Sequence, residues 1–341
     1  MLTIRGIFSP LSSSQFYRSC EKKWVVELDT YHKYWYDLVV NPGEVADYFD
    51  TRKLIVDQLK KIKGEVESNL EKRFVYFICS RERVRFNIKK KPSYNYLTKK
   101  FKIHILIGRK RKKRCIRFSF VDVTTKEAVK PDIILNEKYI TIKESNDNSI
   151  TYSIHDFLDR SNISLGLNSR VEYVGYTKNP HTRPTNGSHT GLSDVIYKIA
   201  EDRRDSLIYF NVFNVFSFSD NSDENVSFAF ANSMTDEIDV ELEGKIIEKC
   251  FIFYFDSSNQ SRNKEVEYQE LQKNLIELSN KNGINAIHVS YGFKEPNEYG
   301  LFSSSRVDAK DFHTFTVKKS KDGVKIENGS KLIEKMMCQK Y

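Results

Sequence analysis

Two stretches of this chain carry residue types that could do chemistry together. The first, Val171-Glu-Tyr-Val-Gly-Tyr-Thr-Lys-Asn-Pro-His-Thr-Arg183, places Tyr173 on a strand-like run ten residues before Arg183. The second, Ile246-Ile-Glu-Lys-Cys-Phe-Ile-Phe-Tyr-Phe255, sets Glu248 in an otherwise apolar segment. A tyrosine, an arginine and a carboxylate are what hydrolysis of a phosphodiester asks for. The nucleophile must be deprotonated and aligned, and the charge developing on the phosphate oxygens must be neutralised. Tyrosine can orient or deprotonate a water, although its own pKa near ~10 calls for help from a cation or a metal. Arginine's planar fork suits phosphate oxygens, and one carboxylate suffices for a magnesium that keeps most of its waters. A glutamate between Ile247 and Phe251 tends towards burial, and buried carboxylates take a partner or a metal.

In order, Tyr173-Val-Gly175, Arg183, a following histidine and a glutamate on an apolar helix resemble the GIY-YIG nuclease superfamily over roughly residues 148–263. The resemblance implies a small α/β sandwich domain that cuts DNA with one divalent metal, Mg²⁺ or Mn²⁺. It implies that Tyr173 orients or activates the nucleophile, Arg183 stabilises phosphate charge and His189 assists proton transfer. Glu248 is then the metal ligand, with Glu243 as runner-up, and Asn259 or Asn263 completes the site. The departure is at the first motif. No GIY stands about ten residues before Tyr173, where the chain reads Ser161-Asn-Ile-Ser-Leu-Gly166. The nearest tyrosine on a strand-like run is Tyr152, in Ser149-Ile-Thr-Tyr-Ser-Ile154. If Tyr152 does not reach the site, the alternative is a non-catalytic nucleic-acid-binding protein that keeps the fold. Pro131-Asp132 suggests another nuclease signature, PD-(D/E)xK, but no Asp/Glu-x-Lys follows at useful spacing.

Charge points to the same class of partner. The net charge is +9, yet residues 81–117 alone hold sixteen Lys or Arg against one acid, Glu82. That local excess of +15 leaves the remainder of the chain mildly acidic. Its densest part, Arg109-Lys-Arg-Lys-Lys-Arg114, lies between two strand-like runs and is expected at a hairpin tip. Arg109, Lys110, Arg111, Lys112, Lys113 and Arg114 there would meet a polyanion, most simply double-stranded DNA, and release its counterions.

The elements that must position these groups fall into two sets. Alternating short runs from Arg73 to Ile142 predict an antiparallel sheet, preceded by a helix over about Thr51–Lys72 with a stripe at Ile55, Leu59, Ile62, Val66 and Leu70. The polar stretch 144–149 then suggests a boundary. The expected fold class is α+β: an N-terminal antiparallel-sheet domain over 1–145, and a GIY-YIG-like domain with a C-terminal extension over 146–341. Five scattered cysteines, Cys20, Cys79, Cys115, Cys250 and Cys338, show no zinc spacing and suit buried reduced thiols. With no run of eighteen apolar residues and no signal-like N-terminus, no membrane partner is expected and the setting reads as cytoplasmic.

Overall fold

The computed structural model describes residues 4–40, 51–68, 72–122, 124–143, 149–182, 184, 190–221, 226–257, 259–260, 264–321 and 323–338. The chain opens with α1 (Ser9–Ser13), α2 (Gln15–Ser19), the long strand β1 (Lys22–Trp35), α3 (Asp37–Val40), α4 (Thr51–Ser68) and β2 (Phe74–Glu82). An excursion of short strands follows: β3 (Val84–Phe86), β4 (Ser93–Asn95), β5 (Lys100–Ile107), β6 (Lys112–Phe118), β7 (Phe120–Val121), β8 (Ala128–Val129), β9 (Asp132–Leu135), β10 (Tyr139–Lys143) and β11 (Ser149–Ser153). Helix α5 (Ile154–Arg160) closes it. Then come β12 (Ser169–Thr177), α6 (Thr190–Glu201), β13 (Arg204–Asn221), β14 (Val226–Ala231), α7 (Asn232–Thr235), α8 (Val240–Phe255) and α9 (Lys264–Asn282). The chain ends with β15 (Ile284–Gly292), β16 (Phe302–Ser303), β17 (Phe312–Ser320), β18 (Gly323–Asn328) and α10 (Lys331–Cys338).

Among the described residues one nine-stranded sheet dominates, in the order β16-β12-β2-β13-β1-β15-β17-β18 with β14 on β13. The excursion builds β3-β5-β4 with β6 on β5, then β11-β10-β9, and the pair β7-β8. The mixed α+β class is as expected. The division at 145/146 is not where the sheet divides. The large sheet takes β1 and β2 from one side of that point and β12 to β18 from the other. The physical reason is burial. All residues of β2 from Phe74 to Arg81 are buried, so this strand needs cover on both faces and a partner on both edges. β12 and β13, from the second half, supply the edges. Likewise β12, expected in a small sandwich of its own, is one strand of nine.

β2 sorts the core by its pleat. Val75, Phe77 and Cys79 face a cluster with Ile246, Ile247, Cys250 and Phe251 of α8 and Leu271 and Leu275 of α9. Phe74, Tyr76 and Ile78 face a second cluster with Leu59 and Ile62 of α4 and Leu192, Val195 and Ile199 of α6.

Buried charge pins the excursion to the sheet. At the start of β13, Asp205 is fully buried and accepts from Val84 N (3.0 Å), Arg85 Nη1 (2.9 Å) and His155 Nε2 (2.9 Å). His155 Nδ1 in turn accepts from Tyr299 Oη (3.1 Å), an assignment that keeps the imidazole neutral. Burial, outweighing the opposing Asp205 charge, lowers the pKa of His155. Nearby, Glu298 pairs with Arg81 and accepts from the backbone N–H groups of Leu165 and Gly166. Both carboxylates thus sit where the chain leaves β2 and where it returns to β12. Among the described residues no helix is long and apolar enough to cross a membrane.

Burial alone would raise Asp205, but His155 and Arg85 outweigh it and hold the carboxyl at about 2. Its folded pKa lies below the unfolded value near ~3.9, so its contribution is present above that value and fades as pH falls towards about 2. His155, lowered from 6.5, removes stability in the same direction at higher pH. Urea unfolding is therefore expected to show stability declining from about pH 6 downward. Asp205→Ala should cost about 3–5 kcal/mol at neutral pH by leaving Arg85 buried without its partner, and should flatten the lowest-pH limb.

Candidate functional site

Tyr173 reaches its place through strand register. β12 pairs antiparallel with β2, with Tyr173 opposite Ile78, Val174 opposite Phe77 and Gly175 opposite Tyr76. A bulge between Val171 and Tyr173 resets the pleat. It turns Tyr173 to the α6 side, where its ring stacks on Tyr76 at 6.0 Å between centroids and 25° between planes. Gly175 makes this possible. A Cβ there would lie 2.5 Å from Tyr76 Oη and 2.8 Å from Tyr173 Cε1, so no side chain fits under the two rings. Tyr76 is fully buried and Tyr173 half-buried. Tyr173 therefore presents the accessible ring and Tyr76 supports it.

Glu248 is half-buried on α8, on the other side of the sheet. Its surroundings there are those of Tyr176, whose ring lies against Gly244; a Cβ on Gly244 would come within 2.5 Å of Tyr176 Cε2 and 3.1 Å of Arg73 Cβ. The Tyr176 hydroxyl titrates above its usual value. Burial is the main cause, Arg73 opposes it, and the charges of Glu241 and Glu248 add to it. Glu241, Gly244 and Glu248 recur at helical spacing, so both carboxylates share the face of α8 that carries Gly244. The structure thus places Glu248 on the α8 helix that packs against Tyr176, and Tyr173 on the opposite face of β12.

The outer edge of β12 joins the two faces. Among the described residues β16 pairs with it at Ser169 and Arg170. Beyond them, the segment after α8 takes the edge: Gln260 accepts from Val174 N (2.8 Å) and donates to Val174 O (2.7 Å). Asn259 donates to Glu172 (2.8 Å) and accepts from Lys198 of α6 (3.5 Å). Asn259, one of the two asparagines considered from sequence, is therefore at this edge; Asn263 lies outside the described residues. Arg183 and His189 also lie outside the described residues, in the connection from β12 to α6.

Tyr152 is not brought to Tyr173. It stands on β11 in the separate β11-β10-β9 sheet, with the Arg160 guanidinium 5.5 Å from its ring. Glu243 is buried against Arg5 (3.3 Å) and Asn232, and so ties the N-terminal segment to α8. The tyrosine that does meet Tyr173 is Tyr76, which sequence reasoning placed on a strand but gave no chemical role. The whole excursion from β3 to α5 separates the two in the chain, and only the glycine two residues after Tyr173 hinted that a second ring must fit.

The basic block divides in two. Arg81 and Arg85 are buried in the ion pairs with Glu298 and Asp205. The remainder lies on the β5-β6 hairpin and its surroundings, as expected: Arg109 to Arg114 are all exposed at or beside its turn. Arg111 pairs with Glu137 (2.9 Å) and Arg114 donates to Leu165 O (2.5 Å), which fastens the turn end of the hairpin. The side of β5 and β6 opposite the buried Ile103, Ile105 and Ile116 carries Lys102, His104, Lys113 and Arg117. Comparison with family models, with curated proteins and with solved structures yields no match.

Substituting Gly175 tests the ring geometry without touching a charge. Gly175→Ala is expected to lower stability by about 1–3 kcal/mol and to change the near-ultraviolet tyrosine dichroism. An unchanged spectrum and midpoint would show that the rings do not meet over this residue.

Proposed function

We propose that this chain is a metal-dependent endonuclease of GIY-YIG type, acting on double-stranded DNA in a cytoplasmic setting, in restriction, mobile-element or phage defence. The observation that carries this reading is the Tyr76–Tyr173 pair over Gly175 on adjacent antiparallel strands. In this reading Tyr76 would take the part of the first tyrosine, for which the sequence had offered Tyr152. Support also comes from the order of elements, with α6 following β12, β13 on the far side of β2, and a glutamate-bearing helix after it. The exposed basic hairpin suits a polyanion. Cys20, Cys79 and Cys250 are buried free thiols, which suits a reducing compartment.

The working end in this reading is the C-terminal end of β12, where the two faces of the strand meet. Tyr173 holds and polarises the attacking water there. Arg183 and His189, which follow in the connection to α6, enter by sequence: the guanidinium holds phosphate oxygens, and the imidazole moves a proton. Among the described residues no group of three or more His, Cys, Asp or Glu could hold a metal. The donors present are hard oxygens on Glu248 and Glu241 beside the Tyr176 hydroxyl. They fit Mg²⁺ or Mn²⁺ that keeps most of its waters, not a structural zinc. Glu248 would hold the ion, which when bound supplies charge stabilisation at the phosphate.

A second reading, a non-catalytic nucleic-acid-binding protein, is favoured by one observation: Tyr173 and Glu248 lie on opposite faces of β12. Cleavage of supercoiled plasmid with Mg²⁺ or Mn²⁺ separates the two. The nuclease reading expects metal-dependent nicking, reduced about 10²–10³-fold in each of Glu248→Ala, Arg183→Ala and Tyr173→Phe. Binding without cleavage on a panel of DNA substrates, unchanged in Glu248→Ala, would favour the second reading.

A further inference from the structure

At the other end of β5 from the basic hairpin turn lies a second turn, Tyr96-Leu97-Thr98-Lys99, joining β4 to β5. Leu97 is 96% exposed and Tyr96 72%, and Leu97 is the more exposed of the two by far. A leucine held in water at a turn tip gains nothing for the fold. Yet the turn is built to be stiff. Asn95 Oδ1 accepts from both Leu97 N (2.9 Å) and Thr98 N (3.0 Å). Lys99 adopts φ +51°, which costs a non-glycine residue energy and so persists only where neighbours enforce it. Beneath, Tyr94 packs on Phe101 at 4.8 Å and Tyr96 stands edge-on to Tyr94 at 5.1 Å. Lys130 Nζ donates to Tyr96 Oη (2.7 Å) and fixes that ring.

Exposed cations lie beside the tip: Lys99 and Lys100 follow Leu97 in the chain, Lys130 reaches Tyr96, and Lys90 and Lys91 line the same shallow depression as Tyr94 and Tyr96. Asp132 is the acid near Lys130. A rigid apolar point flanked by cations does not suit an apolar partner surface, since the cations would be desolvated without compensation. It suits a duplex. The lysines meet phosphates on either side of a groove, and the point enters between base pairs. β5 spans about 26 Å at ~3.3 Å per residue. The tip and the Arg109–Arg114 hairpin thus lie about seven or eight base-pair steps apart along one face carrying Lys102, Lys113 and Arg117.

We propose that Leu97, backed by Tyr96, is a wedge that enters a base step of duplex DNA while the β5-β6 face follows the phosphates. The proposal rests on the nucleic-acid reading and adds to it a deformation of the bound duplex. The wedge separates the bases and the cations hold the strands.

The test uses the full chain with a duplex carrying 2-aminopurine at successive positions, at low salt and without divalent metal. A severalfold rise in 2-aminopurine fluorescence at one or two adjacent positions is expected on binding. Leu97→Ala should abolish that rise while keeping the dissociation constant within about threefold, because phosphate contacts supply most of the affinity. Leu97 is solvent-exposed, so this variant folds as the parent does. Lys110→Ala/Lys112→Ala/Lys113→Ala should instead weaken binding and lower its salt dependence. Tight binding with silent 2-aminopurine, or a signal that survives Leu97→Ala, overturns the wedge and leaves the nucleic-acid reading standing. Failure of the parent to bind duplex overturns both.

Discussion

The arrangement depends on one buried carboxylate. Asp205 opens β13 and gathers Val84, Arg85 and His155, which belong to the first strand and the last helix of the excursion. An unpaired carboxylate in that place would be very costly, so its three donors are obligatory. Glu298 repeats the device with Arg81 and the Leu165–Gly166 backbone, beside Tyr299, which His155 also holds. Between them they fix both ends of a long insertion. Because the ends are fixed, β2 and β12 pair in register although the whole excursion separates them, and Tyr76 arrives opposite Gly175. Direction comes from hydrogen bonds that only one geometry satisfies, whereas apolar burial alone would tolerate slippage of the pairing.

Around β12 the controlling constraint is room. Two glycines admit rings that a methyl group would exclude: Gly175 under Tyr76 and Tyr173, and Gly244 under Tyr176. One approach is on each face of the strand. The tyrosine pair and the carboxylates therefore stand back to back, joined at the edge by the Asn259–Gln260 segment. The electrostatics agree with that division. Burial and the charges of Glu241 and Glu248 raise the Tyr176 hydroxyl on one face, and Lys198 brings a cation to the edge from the other.

Much of this was legible in the sequence, and the gaps have physical causes. Helices α4, α8 and α9 announce themselves by apolar spacing, and the strands β5 and β6 by alternation around a charged turn. Strand β12 and its Tyr173 were legible from Val171 to Tyr176. Tyr152 was chosen because it is near in sequence, yet strand pairing does not respect chain distance. Tyr76 sat in the run Arg73–Cys79, whose continuous burial hid any alternation that would have marked one face as functional. The polar stretch suggested a boundary after residue 145, yet the large sheet takes strands from both sides of it, since a polar stretch marks a turn whether or not a sheet continues beyond it. Nor could charge counting separate Arg81 and Arg85, which are internal, from the exposed lysines near them in the chain.

The most direct test of the central claim is a crystal structure with Mn²⁺ and a short DNA duplex, read by anomalous scattering from the manganese. The account places one manganese on Glu248 at the C-terminal end of β12, with a backbone phosphate beside it within reach of Tyr173. A manganese bound elsewhere, or a duplex whose phosphates lie against the β5-β6 face and never approach β12, would contradict it.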